Sequence, residues 1–139
     1  MQEAENTRVV REAYAAFGRA DIQAVLDTMH DDVIWKPITG ASSDVPMAGE
    51  RRGKPSVGEF FRILAQSMTF DQFDPREFVA QNDKVVALGN YRATTKGGRQ
   101  FESEWAMVFT LRDGKITHFQ EFMNSAAINA AFGAVAASV

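Results

Sequence analysis

Residues Phe101–Phe122 read FESEWAMVFTLRDGKITHFQEF, and this stretch decides the fold. Two runs of alternating polarity flank Asp113-Gly114, a dipeptide suited to a tight turn. Period-two alternation marks strands with one buried face, so Gln100–Arg112 and Lys115–Met123 form a hairpin. Two registers are open. With Asp113-Gly114 as a two-residue loop, Trp105 shares a face with Phe122 and His118. With Arg112-Asp113-Gly114 as a three-residue loop, Trp105 lies opposite Glu121, Met107 opposite Phe119 and Ser103 opposite Met123. The second gathers Phe101, Trp105, Met107, Phe109, Phe119 and Met123 on one face. It leaves Glu102, Glu104, Thr110, His118 and Gln120 on the other. Register follows the buried face, which favours the second.

Glu121 is the anomaly in this pattern, because its face neighbours are Phe119 and Met123. A carboxylate on an apolar face costs free energy unless it is paired, hydrated or protonated. Glu121 is therefore either half of a structural ion pair or the ionisable group of a ligand cavity. Lys84–Thr95 alternates as well. Val86, Leu88, Asn90, Arg92 and Thr94 share one face; Val85, Ala87, Gly89, Tyr91 and Ala93 share the other. If the first set faces inward, Asn90 and Arg92 converge on Glu121; otherwise Arg92 is a solvated sheet residue. Glu77–Gln81, the Asn82-Asp83 turn and the Gly97-Gly98 turn complete a meander of four strands.

Upstream the period becomes helical. Val9, Val10, Ala13, Tyr14 and Phe17 define a helix over about residues 3–18, ended by Gly18. Asp21 caps a short second helix with Ile22, Val25, Leu26 and Met29 inward. Asp31-Asp32 breaks it, and Val33-Ile34-Trp35 reads as a strand stopped by Pro37. Residues 39–49, TGASSDVPMAG, form a loop that is either a mobile mouth over a cavity or a plain connection. Pro55 starts a third helix whose Val57, Phe60, Phe61, Leu64, Ala65 and Met68 make an apolar stripe. Ser125–Phe132 is a short final helix capped by Asn124 or Ser125. The fold class is α+β, with helices gathered on one face of a curved antiparallel sheet.

At 139 residues the chain is a single domain, 1–139, long enough to bury a core. It has no cysteine, which excludes disulfides, thiolate nucleophiles and cysteine metal sites. Its net charge of -3 gives no general attraction for nucleic acid. No P-loop, HExxH or GxGxxG motif occurs. His30 beside Asp31-Asp32 is a poor metal site, since adjacent side chains on a turn diverge; a helix-terminal histidine favoured by the dipole is the simpler reading. His118 reads as an outer-face residue. Glu50-Arg51-Arg52-Gly53-Lys54 reads as a solvated charge run that could also hold an anion near a mouth. The segment MQEAENTRVV is not a secretory signal and nothing approaches a membrane span, so a cytoplasmic location is expected.

The opening VVREAYAAFGRADIQAVLDTMHDDVIW, the helix entry GERRGKPSVGEFF and the hairpin FESEWAMVFTLRDGKITHFQEF together resemble the SnoaL-like and ketosteroid isomerase-like branch of the nuclear transport factor 2-like superfamily. The resemblance implies a cone-shaped barrel, a curved antiparallel sheet wrapped around three N-terminal helices. It also implies a short C-terminal helix, a deep apolar pocket, no cofactor, and a homodimer packed through the outer sheet face. Position by position the catalytic patterns are incomplete. The steroid isomerase tyrosine corresponds to Tyr14, one place out of register. Its base would fall at Trp35-Lys36-Pro37, and its second acid near Met107. The limonene epoxide hydrolase pattern falls near Leu88, Asn90 and Glu121, with its arginine displaced to Arg92. The acid of SnoaL-like cyclases falls near Asn124, an amide that cannot act as general acid or base.

The expected catalytic set is therefore Glu121 as acid or base, with Asn90, Arg92 and Tyr14 polarising a substrate oxygen. The expected ligand-binding set is Phe17, Trp35, Phe60, Leu64, Leu88, Ser103, Trp105, Met107, Phe119 and Met123, around a small hydrophobic ligand. The functional alternatives are a cofactor-independent isomerase, cyclase or hydrolase, a non-catalytic small-molecule binder, and a protein-association module.

Overall fold

The computed structural model describes residues 2–133. The order is α1 (Gln2–Gly18), α2 (Ile22–Asp27), β1 (Met29–Lys36), β2 (Arg51–Arg52), α3 (Lys54–Ser67), β3 (Met68–Gln81), β4 (Lys84–Thr95), β5 (Gln100–Arg112), β6 (Lys115–Met123) and α4 (Ser125–Phe132). The strands form one sheet in the order β2-β1-β6-β5-β4-β3. Every pairing is antiparallel except that of β1 with β6. The helices α1 and α3 pack on the concave side, so the expected α+β class holds. The curved antiparallel sheet wraps the helices as expected, and its edges β2 and β3 do not pair, so the cone stays open.

The caps follow the sequence. The Asp21 side chain accepts from the Ala24 N–H at 3.1 Å and starts α2. Asn124 does the same for α4, accepting from the Ala127 N–H at 3.2 Å. Two expectations change. Met29 and His30 belong to β1 rather than to the second helix or its end, and Met68 opens β3 instead of ending α3. Both methionines stay buried. Loop 39–49 is a pinned connection: Val45 and Met47 are buried in the core, and the Ser42 N–H donates to Asn129 Oδ1 at 2.8 Å.

The β5–β6 hairpin keeps the expected inner face but shifts its partners. Asp113 (φ 53°) and Gly114 (φ 76°) both occupy the left-handed region, giving a two-residue turn with Arg112 opposite Lys115. Such a turn matches the right-handed twist of the strands. A bulge then absorbs one extra β6 residue between the Leu111–Ile116 and Thr110–His118 pairs. Thr117 in that bulge donates its hydroxyl to the Thr110 carbonyl at 3.1 Å. Trp105 consequently faces Met123 rather than Glu121, Met107 faces Glu121, and Phe109 faces Phe119.

Trp105 lies across Gly89 on the neighbouring strand. A Cβ at residue 89 would stand 2.5 Å from Trp105 Cζ2 and would also overlap the Asp74 carbonyl oxygen. Gly89→Ala is therefore expected to destabilise the fold by about 1–3 kcal/mol through overpacking, measured as a fall in the urea midpoint at unchanged slope.

Candidate active site

An apolar chamber lies between the helices and the sheet. From α1, Tyr14 and Phe17 face the strands; from α3 come Phe60, Phe61 and Leu64. The sheet contributes Trp35 of β1, Tyr91 of β4, Met107 and Phe109 of β5, and Phe119 and Glu121 of β6. Its volume is about 80 Å³, room for a few water molecules or a small organic fragment. Stacked rings stiffen its walls. Trp35 lies on Phe119 with centroids 3.8 Å apart and planes 17° apart. Tyr14 stacks on Trp105 at 5.8 Å, with Phe73 behind the same indole at 5.4 Å.

Glu121 is 6% exposed. The pairing of β1 with β6 ends at Lys36–Gln120, and Pro37 follows. The chain then runs on beside Glu121 with Ile38 at φ 51°. In that conformation the Ile38 N–H donates to Glu121 Oε1 at 3.2 Å. The Thr39 N–H donates to the Glu121 backbone carbonyl at 3.1 Å. Among the described residues the Ile38 amide is the hydrogen-bond partner of the carboxyl group, and none of the ion pairs involves Glu121. A β-branched residue in the left-handed region is a backbone outlier, costing on the order of 1–3 kcal/mol.

Burial pushes the Glu121 carboxyl up to about 7, while the Ile38 amide pulls the other way. The group is therefore divided between acid and carboxylate near neutrality, the condition under which one side chain can both give and take a proton. The Tyr14 and Tyr91 hydroxyls are pushed up as well, first by burial and then by the charge of Glu121. Tyr14 donates to Met107 Sδ at 2.9 Å, a weak acceptor. The indole N–H of Trp35 is buried without a partner.

Of the expected catalytic set, Glu121 and Tyr14 share the chamber; Asn90 and Arg92 do not. The inward face of β4 is the apolar one, Val85, Ala87, Tyr91 and Ala93. Asn90 and Arg92 lie on the opposite face, across from Glu104 and Glu102, and Arg92 is exposed. The expected convergence on Glu121 fails because a sheet turns its apolar face to the core. Leu88 leaves the site with them. Phe17, Trp35, Phe60, Leu64, Met107 and Phe119 line the chamber as expected. Trp105, Ser103 and Met123 point inward but stand outside it; the Ser103 hydroxyl instead accepts the Asn124 N–H at 2.8 Å. Tyr91 and Ile38 are chamber residues absent from the expected set. Tyr91 was legible as the aromatic hydroxyl on the more apolar face of β4. Nothing in the sequence marks Ile38.

A second space adjoins the chamber. Tyr14, Phe17, Phe61, Leu64, Met68, Phe70 and Phe73 also line an open cleft of about 620 Å³ between the ends of α1 and α3 and the start of β3. These side chains are shared by the cleft and the chamber. Among the described residues no three His, Asp or Glu side chains cluster as a metal site, and no helix is long and apolar enough to cross a membrane.

Comparison with known proteins agrees with this architecture. An NTF2-like protein of Burkholderia xenovorans superposes with a TM-score of 0.86 at 28% identity, covering 96% of this chain and 99% of that one. An NTF2-like protein of unknown function from Burkholderia pseudomallei gives a TM-score of 0.83 at 27% identity, covering 94% and 98%. TerC, co-crystallised with polyporic acid, gives a TM-score of 0.76 at 26% identity, covering 92% and 98%. No curated protein matches the chain. The profile of the SnoaL-like domain matches residues 10–119, and the chain belongs to that family.

Proposed function

We propose that this protein is a cofactor-independent enzyme of the isomerase, cyclase or hydrolase type, in which Glu121 moves a proton on a small ring-bearing substrate. The observation that carries the reading is a buried carboxyl group, pushed to about 7, on the wall of an otherwise apolar chamber. Tyr14 supplies a hydroxyl whose present acceptor is only a thioether, so a substrate oxygen would compete for it readily. The aromatic walls favour a flat, partly oxygenated compound, and the TerC co-crystal with polyporic acid supports a ligand of that kind. Such a compound would enter from the cleft, with its reacting edge in the chamber. A second reading, binding without chemistry, draws support from Glu121 being the one carboxylate on the chamber wall.

The outer sheet face supports the homodimer implied by the family resemblance. Phe122 is 46% exposed and Val79 57% exposed. Both share that face with Leu88 and Val108, and Asn90 Oδ1 is buried there without a partner. Phe122→Asp is expected to convert a dimer to monomer in sedimentation velocity; a native protein already monomeric at micromolar concentration would sink this assembly.

Two measurements test the site. A thermal-shift screen of hydroxylated aromatic ketones and quinones should yield ligands, and turnover of any hit should fall at least about 100-fold in Glu121→Gln, the scale of a lost general acid or base. Tight binding with no turnover by the native protein would decide for the binder. The proton linkage is independent of substrate. The Glu121 carboxyl titrates higher folded than unfolded, so the native state holds the extra proton between about 4.5 and 7. Its stabilising contribution is full below that window and is lost as pH rises through it. Glu121→Gln should therefore be more stable than the native protein at pH 8, by roughly 3 kcal/mol, with the difference vanishing below pH 4.5 in chemical denaturation.

A further inference from the structure

We propose that Ile38 is the positioning residue for Glu121: its left-handed backbone turns one amide onto Oε1, orients the carboxyl group, and leaves the other oxygen to face the chamber. The inference rests on Glu121 being the proton-transferring group. Three observations meet at this residue. Its φ of 51° is a conformation that β-branched side chains rarely adopt. Its N–H is the hydrogen-bond donor to a carboxyl group that has no cation partner among the described residues. Its side chain is 5% exposed and lines the chamber beside that carboxyl.

The geometry explains why the chain tolerates the strain. Pro37 cannot continue the ladder with β6, because it has no N–H to give. Ile38 and Thr39 then hold residue 121 at two points, the side chain through one amide and the backbone carbonyl through the next. The carboxyl is thereby fixed at both ends of its own residue. An observed backbone outlier at a buried ionisable group points to function, and here the function is orientation: a general acid or base works only within hydrogen-bond reach of the atom it serves.

The experiment needs no substrate, so a protein that proves non-catalytic leaves its result readable. The Glu121 carboxyl carbon and the Ile38 amide proton are followed together by NMR as pH is raised. The other titratable groups facing Glu121 are Tyr14 of α1 and Tyr91 of β4, and both keep their protons across this range. The Ile38 amide proton is expected to move downfield with the same midpoint as the carboxyl carbon, and to lose its pH dependence in Glu121→Gln. A flat Ile38 resonance, or one that still titrates in that variant, overturns the proposal. Replacing the residue 38 amide by an ester, with the side chain kept, should raise the Glu121 midpoint by about one pH unit. Ile38→Gly keeps the N–H, relieves the strain and admits water, so its midpoint should not rise. An ester variant with an unmoved midpoint, or a glycine variant that rises equally, also overturns it; should the ester variant fail to fold, the native titration decides alone.

Discussion

The packing over the chamber depends on Trp105 lying against the backbone of β4, where Gly89 leaves room for it. The indole occupies the volume that any Cβ at residue 89 would need. Tyr14 and Phe73 stack against that indole, and Phe73 in turn lies parallel to Tyr91 at 6.1 Å and 8°. The stack joins α1 to three strands. It also fixes one side of the chamber, because Tyr14, Phe73 and Tyr91 are all wall residues. The bulge in β3 between Pro75 and Glu77 brings the Asp74 carbonyl close behind Gly89, so strand curvature and ring packing meet at one residue.

The opposite side of the chamber obeys a different constraint. Glu121 is held by backbone, not by countercharge. A nearby arginine would have pinned the carboxylate in its ionised form and pulled its pKa below the ordinary range. One amide is a weaker counterweight to desolvation, and the balance settles near neutrality. The two sides thus differ in kind: rigid rings that shape the space, and a soft polar contact that sets its proton affinity.

The sequence disclosed most of this through polarity. The inner face of the β5–β6 hairpin was legible because every second residue from Phe101 to Phe109 is apolar or small. Its partner offset was not, since a two-residue turn and a bulge compensate each other in parity and leave the same alternation. The face of β4 misled for a chemical reason. Asn90 and Arg92 carry groups that a catalytic site can use, yet Ala87, Gly89 and Ala93 make the flatter surface on which rings pack. Tyr91 lies on that surface, where its hydroxyl stood out from its apolar neighbours. The two-residue strand β2 is too short for any periodicity. Ile38 was illegible because its conformation is imposed by Pro37 and β6 against its own preference.

The parallel pairing of β1 with β6 places Met29 beside Ile116 and Trp35 beside Phe119. These are contacts between the first strand of the chain and the last. Contacts so distant in sequence carry the entropy cost of closing the intervening chain. Without that pairing the chamber would have a seam along Trp35, and Glu121 would lack the Ile38 amide. The seam that closes the wall is thus the same seam that covers the carboxyl group, so any opening along it would give the aromatic surface and the acid back to water together.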